Sequence, residues 1–442
     1  MEAFITRKKR KSGPETSDTP PPSLLAGGED EESTDLKLAM LSSLHVDFDQ
    51  ETLLDLLLAH DGSVPATSQA IKAGHHAAKK PTSSVTAQAS LRSFGVTATS
   101  SEESQHPAKR SKLLSRKGAT LHLYDPHDIA EHTPCTIIHN FLPQDLANEL
   151  LVELLEESKT FEKITFKLFD NVVSSPHTSS FYVGSLDELN AQKFEYTYNG
   201  SKLTDVRQIT PHLDLVKPLV ASAVNREITR RITTHQAGQL LPFQSPHPWT
   251  PNAAFVNCYN GPTQNVGWHS DQLTYLGPRA VIGSLSLGVA REFRVRRVLP
   301  PDEGDGGDAQ GQIAIHLPHN SLLVMHAEMQ EAWKHCVAPA AAIEPHPVAG
   351  NRRINVTYRD YRPEFHPRHT PRCGCDVPCV LRVVQRKREN FGKYFWMCHA
   401  GNIPGKEACT FFQWAEFDEE GRPIKRGKMP ATAATTKEPR TT

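Results

Sequence analysis

His269-Ser270-Asp271, with His335 64 residues beyond the aspartate, supplies two imidazoles and one carboxylate. That donor set holds Fe(II) on one face and leaves the other coordination positions open to a co-substrate and O2. Further on, Arg353-Ile-Asn355-Val-Thr357-Tyr-Arg359 carries two guanidinium groups six residues apart. A guanidinium fork makes two parallel charge-assisted hydrogen bonds in fixed geometry, which suits a dicarboxylate such as 2-oxoglutarate. The pattern points to oxidative chemistry. A second donor set lies near the C-terminus, where five of the eight cysteines crowd into Cys373 to Cys409. In a reducing compartment such crowding indicates metal rather than disulfides. Cys373, Cys375, Cys398 and Cys409 suffice for a closed tetrahedral Zn(II) site, whose metal replaces the hydrophobic core that so short a segment lacks. Cys379 is left over and is expected as a buried apolar side chain.

The elements that must position these residues are strands. Asn252–Tyr259, Ala280–Leu287, Phe293–Val298 and Ser321–Met325 alternate or run apolar between turn residues, so the catalytic domain is expected to be mainly β. Asn257 and Tyr259 occupy alternate positions one strand upstream of His269, so their side chains leave the same face and can meet a co-substrate. His335 follows an apolar strand and a loop, which suits a third ligand on a jelly-roll scaffold. Flanking helices are expected, notably over Pro143–Glu157, where Leu146, Leu150, Leu151, Leu154 and Leu155 recur on one face. A cupin-like barrel holding a metal or a sugar would need the histidines, but not two arginines six residues apart.

Composition divides the 442 residues further. Residues 1–32 are Pro-, Ser- and charge-rich and too poor in large apolar residues to fold, and 418–442 are likewise expected as a tail. Residues 33–74 repeat leucines at helical spacing and predict a small three-helix domain. Residues 75–118 read as a flexible linker. A catalytic domain over 119–365 and a small zinc-bound β module over 371–417 complete the chain. The net charge of −1 conceals an acidic run at Glu29–Glu32 and basic clusters at Lys8–Lys11 and Lys109–Lys112. Those clusters read as nuclear-localisation signals. No apolar stretch reaches the roughly 20 residues that span a bilayer, and nothing of signal-peptide type follows the N-terminus. A soluble, nuclear protein without a membrane partner is the expectation.

From about Cys135 to Arg362 the chain resembles the AlkB family of Fe(II)- and 2-oxoglutarate-dependent dioxygenases. The resemblance rests on Asn257-Cys-Tyr259, Trp268-His-Ser-Asp271, Gly283-Ser-Leu-Ser-Leu-Gly288, Arg291-Glu-Phe-Arg294, Leu317–Met325, Trp333-Lys-His335 and Arg353–Arg359, in order. It implies a double-stranded β-helix (jelly-roll) fold, with iron on His269, Asp271 and His335 and 2-oxoglutarate against Asn257, Tyr259, Arg353, Asn355 and Arg359. It also implies a reaction. An N-linked alkyl carbon is oxidised while 2-oxoglutarate becomes succinate and CO2, and the hydroxyalkyl product releases formaldehyde. Repair enzymes of the family sandwich a flipped base, and Val173–Tyr182 and Tyr196–Gly200 resemble their nucleotide lid. Pro176, His177, Tyr182, Tyr196 and Tyr198 are therefore the candidate substrate contacts. Two departures stand out. Leu273 occupies the position of the family's acidic contact to a base amine, leaving Gln272 as the polar alternative, and His177 stands where Arg is common.

Cys373-Gly-Cys-Asp-Val-Pro-Cys-Val-Leu-Arg382, Gly392–Cys398 and Cys409–Trp414 resemble the GRF zinc finger, a single-stranded-nucleic-acid-binding module. Lys393 replaces the arginine of that name, keeping a cation but losing the fork. Arg382, Lys393 and Trp396 are the candidate nucleic-acid contacts, pairing backbone charge with a stacking face. Read as a separate delivery module, it should be dispensable for turnover of a short oligonucleotide. Residues 33–74 resemble CUE or UBA ubiquitin-binding domains, implying ubiquitin as a partner. Ala3–Arg7 and Gln88–Phe94 resemble degenerate sliding-clamp motifs. The combined expectation is a nuclear DNA dealkylase acting on single-stranded or distorted DNA. Open alternatives are an RNA demethylase of the same chemistry, or a non-catalytic reader of damaged DNA or ubiquitinated chromatin.

Overall fold

In a computed structural model the chain is described at residues 57, 63–77, 120–168, 171–198, 201–202, 205–298, 311–385, 387–403 and 405–424. It divides into two compact units, 1–82 and 83–442. In the first, helix α1 (Val64–Ala77) starts at Ser63, whose hydroxyl accepts the Ala66 N–H, and Leu57, Thr67 and Ile71 are buried. Residues 75–77, expected as the start of the linker, instead continue α1; apart from Leu57, the other two expected helices, the N-terminal tail, the rest of the linker, both basic clusters and both clamp-like pieces lie outside the described residues.

The second unit is built on two sheets. A seven-stranded major sheet has the order β2 (Cys135–Ile138), β14 (Ser321–Met325), β11 (Ile282–Gly288), β16 (Arg352–Arg359), β9 (Ala253–Asn260), β5 (Thr178–Val183) and β8 (Val206–Gln208). A five-stranded minor sheet has the order β1 (Thr120–Leu123), β13 (Gln312–Leu317), β12 (Arg291–Arg297), β15 (Trp333–Val337) and β10 (Val266–His269). Hairpins β3–β4 (Thr165–Leu168, Asn171–Ser174) and β6–β7 (Thr197–Tyr198, Ser201–Lys202) flank the jelly roll. Helices α2 (Pro126–His132), α3 (Gln144–Glu157), α4 (Leu186–Glu195), α5 (Pro211–His235) and the single turn α6 (Met329–Ala332) complete this part. The zinc module is a three-stranded sheet, β17 (Val380–Val383), β18 (Tyr394–Met397) and β19 (Phe412–Trp414).

Strand periodicity assigns the layers. In β16, Ile354, Val356 and Tyr358 pack under α3 and α5, joined by Leu150, Leu154, Val216 and Val220. The intervening Arg353, Asn355, Thr357 and Arg359 leave the opposite face, toward the space between the sheets. In β9 the same parity sends Ala254, Val256 and Cys258 to the helices and Phe255, Asn257 and Tyr259 inward. A second core of Phe293, Val295, Ile313, Ile315 and Met325 joins the two sheets below the opening. Among the described residues no helix is long and apolar enough to cross a membrane.

The zinc module shares that second core, because Leu381, Tyr394, Trp396 and Phe417 pack with Leu273 and Phe365 of the jelly roll. Residues 418–424, expected as the start of a tail, instead form a turn closed by Asp418 and Arg422 backbone bonds. Gly421 adopts φ +73° there, and a Cβ would run into the Phe243 carbonyl oxygen, so only glycine allows so close an approach.

Candidate active site and zinc module

Register brings the three candidate iron ligands together. In the antiparallel pair β10–β15, His269 stands opposite His335, and Asp271 lies two residues past the end of β10. Asp271 Oδ1 is 3.5 Å from His269 Nε2 and 3.4 Å from His335 Nε2. His269 places Nδ1 2.8 Å from the Gly267 carbonyl, which fixes the ring and turns Nε2 toward the other donors. The second Asp271 oxygen accepts from Arg359 Nη2 at 2.7 Å. Burial pushes the Asp271 carboxyl up, but Arg359 and the two imidazoles outweigh it and hold the group well below the usual carboxylate range. Burial and the neighbouring His269 lower His335 to about 4, leaving a neutral imidazole with a lone pair to give. The three donor atoms face one another closely enough to hold one metal ion.

Arg353 is the other distinctive group. It is 1 % exposed, and its Nη2 donates to Ser286 Oγ and Asn355 Oδ1, both at 2.8 Å. Its Nε and Nη1 have no partner, and neither has Asn257 Oδ1 nearby. Burial lowers the guanidinium to about 10, so it stays charged at neutral pH. A buried, charged fork with two free donors is too costly to leave unmatched. It lines one cavity with Asn257, Tyr259, His269, Asp271, His335, Asn355 and Arg359, of about 530 Å³ with its open mouth. An anionic co-substrate beside a metal ion fits that arrangement. The two arginines are not equivalent: Arg359 spends Nη2 on Asp271 and has Nε unpartnered, while Arg353 has both Nε and Nη1 unpartnered.

The candidate substrate residues separate. His177 lines the cavity, its ring 4.8 Å from Tyr259, and burial lowers it to about 4. Pro176 is exposed just before it. Tyr198 packs against Phe181 and Tyr275, with Arg359 among its neighbours. Tyr196 is packed in a ring cluster with Tyr361 at 5.5 Å and Tyr275 at 4.6 Å. Tyr182 needs correction. It pairs with Ala254 in register, so it points to the helix layer, where its hydroxyl donates to Glu157 Oε2 at 2.8 Å. Phe181, one residue earlier, takes the inner face beside Phe255 and Tyr198. Leu273 is buried in the core, and the Gln272 amide donates to Thr274 Oγ1 at 3.0 Å.

In the zinc module the sulfurs of Cys373, Cys375, Cys398 and Cys409 converge to metal-binding distance, and Cys379 stays outside the quartet. Burial pushes the Cys398 thiol up, and the backbone N–H groups of Ala400 and Cys409 that Sγ accepts offset part of that rise. Trp396 also needs correction. Strand parity puts it with Leu381 and Tyr394 on the buried face, and it is 6 % exposed. The open face of the sheet carries Phe395, Phe412 and Trp414, with Phe412 and Trp414 at 4.9 Å and Lys393 Nζ 5.9 Å from the Trp414 ring. Arg382 lies opposite Phe395 on that face.

Sequence reasoning missed how the buried face meets the active site. Gln385 donates its amide to Ser270 Oγ and to the carbonyls of Gln330 and Glu331. The Gln330 side chain in turn accepts the Asp271 N–H at 2.6 Å. Tyr394 donates its hydroxyl to the buried Glu331 at 2.8 Å, and Thr274 Oγ1 accepts the Leu381 N–H. The zinc module thus braces both segments that carry Asp271 and lead to His335. No local pattern in the sequence signals these contacts.

Comparison with known proteins agrees with this geometry. Residues 371–418 match the GRF zinc finger. The rat protein "Alpha-ketoglutarate-dependent dioxygenase alkB homolog 3" is 36% identical over 120 residues, 27% of this chain and 38% of its own length. The Arabidopsis thaliana "DNA oxidative demethylase ALKBH2" is 32% identical over 122 residues, 24% of this chain and 37% of its own. A Xenopus laevis protein, "Endonuclease 8-like 3", is 38% identical over 47 residues, 10% of this chain and 7% of its own. The chain thus spans well under half the length of each of these relatives. The 2OG-Fe(II) oxygenase superfamily, whose cofactors are Fe(II) and 2-oxoglutarate, matches residues 134–359. That span is just over half of the chain and holds every residue lining the cavity, and the chain belongs to the 2OG-Fe(II) oxygenase superfamily.

Proposed function

We propose that this protein oxidatively dealkylates nucleic-acid bases, acting on single-stranded or distorted DNA. The observation that carries the reading is the buried Arg353 fork, open at two donors in the cavity that also holds His269, Asp271 and His335. In this reading the triad holds Fe(II), and Arg353 anchors 2-oxoglutarate with help from Asn257, Tyr259 and Asn355. Fe(II), when bound with 2-oxoglutarate and O2, supplies oxidation of an N-linked alkyl carbon, with succinate, CO2 and finally formaldehyde as products. The chain's own work is positional. Arg359 keeps Asp271 ionised and occupies its second oxygen, while Phe255, Val266, Phe293 and Val337 supply the apolar part of the cavity wall.

The names of the rat and Arabidopsis relatives favour a nucleic-acid substrate. So does the open aromatic face of the zinc module, where bases can stack on Phe395, Phe412 and Trp414 while Lys393 and Arg382 meet phosphate. With Leu273 buried, the base amine finds no carboxylate there, so selectivity shifts toward lesions that do not need one. The ubiquitin reading of 33–74, the clamp-like pieces and nuclear residence stay part of this proposal, on sequence grounds alone.

Formaldehyde and succinate release should be measured on methylated single-stranded DNA, duplex DNA and RNA, for the native chain and Asp271→Ala. Single-stranded DNA should be turned over fastest and the variant should give no product. Equal product from both chains would remove the enzymatic reading, and a preference for RNA would replace the substrate. Trp414→Ala should weaken binding of a fluorescent oligothymidylate about 5- to 150-fold, the equivalent of ~1–3 kcal/mol for one lost stack. An unchanged affinity would move the strand to another face.

A further inference from the structure

The outer face of the minor sheet carries a second set of two imidazoles and one carboxylate. Adjacent strands β1, β13 and β12 contribute His122, His316 and Glu292. Glu292 stands opposite His316 in the register, and its neighbour Phe293 points inward against His335, so parity places Glu292 on the far side of the sheet from the cavity. His122 Nδ1 lies 3.0 Å from His316 Nε2 and 4.0 Å from Glu292 Oε1. The three donor atoms fall within 4.8 Å of one another.

We propose that His122, Glu292 and His316 form a further metal site, a Zn(II) clip that fastens the edge strand β1 to the minor sheet. Zinc at about 2.0–2.1 Å from each ligand asks for donor separations of roughly 3.3 Å in a tetrahedron. The 3.0 and 4.0 Å separations straddle that value and all three donors lie within 4.8 Å of one another, so rotamer adjustments of roughly an ångström close the site. Its members are also held. Arg294 donates through Nε and Nη2 to Glu292 Oε2, which leaves Oε1 turned to the histidines. Tyr124 stacks on His316 at 4.2 Å and 8°, fixing that ring. His122 Nδ1 and His316 Nε2 share a hydrogen bond, which a metal ion between them would replace. The donors are partly sheltered, with His122 at 14 % and Glu292 at 29 % exposure, and a fourth position remains for water.

The clip has a structural purpose. β1 is four residues long and pairs with one neighbour, β13. Such a short edge strand gains little from its own ladder, and a metal shared by three strands would hold it.

The test is zinc stoichiometry of the full chain, stripped of metal and titrated with Zn(II) alone against a chromophoric chelator. The native chain should bind three equivalents: one at the cysteines, one at His269, Asp271 and His335, and one here. The double variant His122→Ala, His316→Ala should bind two. Glu292→Gln should keep three but release one at least ten times more readily. Amide exchange at Leu121 and Leu123 should slow on zinc addition in the native chain and not in the double variant. Two equivalents in the native chain, or three in a double variant that melts at the metal-free native temperature, overturn the proposal.

Discussion

Arg353→Ala should raise the KM for 2-oxoglutarate by roughly two to three orders of magnitude. Truncating one partner of a buried, hydrogen-bonded charge pair costs about 2–5 kcal/mol, at about 1.4 kcal/mol per factor of ten. Arg353 satisfies the burial condition at 1 % exposure and has two unpartnered donors, whereas Arg359 gives Nη2 to Asp271 and has Nε unpartnered. Arg353→Lys sharpens the test. It keeps the charge but loses the two-pronged geometry, so it should recover part of the affinity and not all. The melting temperature must be read alongside, because alanine also strands the Ser286 hydroxyl, while the Asn355 side-chain oxygen keeps its bond from Ser284. A KM unchanged in a folded Arg353→Ala chain would place the co-substrate elsewhere.

Removing zinc from the cysteine quartet, by chelation or by Cys398→Ser, should damage the oxygenase as well as strand binding. The expectation from sequence was the reverse, that a short oligonucleotide would still be turned over. The packing argues against it, because Leu381, Tyr394, Trp396 and Phe417 belong to the same core as the jelly roll. Unfolding the module exposes those faces, and losing two such burials forfeits ~3–6 kcal/mol. At roughly 2–4 °C per kcal/mol for a domain of this size, the melting temperature should fall by about 10 °C or more. Turnover should fall too, since Gln385 no longer holds Ser270 and the Gln330 carbonyl. Gln385→Ala isolates this effect from the loss of the module. It should lower kcat on a trinucleotide several-fold while sparing oligothymidylate binding, and equal kcat would make the brace idle.

What was legible in the sequence was what strand periodicity and donor chemistry carry. Asn257 and Tyr259, or Arg353, Asn355, Thr357 and Arg359, share a face by the two-residue period alone, and the described structure keeps them so. Periodicity does not say which face is which. Tyr182 and Trp396 were both assigned by chemical type to a ligand face, and both occupy the parity that packs inward against another layer. Phe181 in the first case and Phe395 in the second hold the position intended. The zinc-module contacts were illegible for another reason. Gln385 and Ser270 are 115 residues apart, and neither residue type is unusual for a surface turn.

The double duty of β16 has an evolutionary consequence. Its eight residues serve two separate environments, four side chains lining the cavity and three sealing an oily layer beneath two helices. Point changes on one side can drift without disturbing the other. Insertion or loss of a single residue cannot, because it would swap the two rows and plunge both arginines into hydrocarbon. Length in this segment should therefore be far more rigidly inherited than letter.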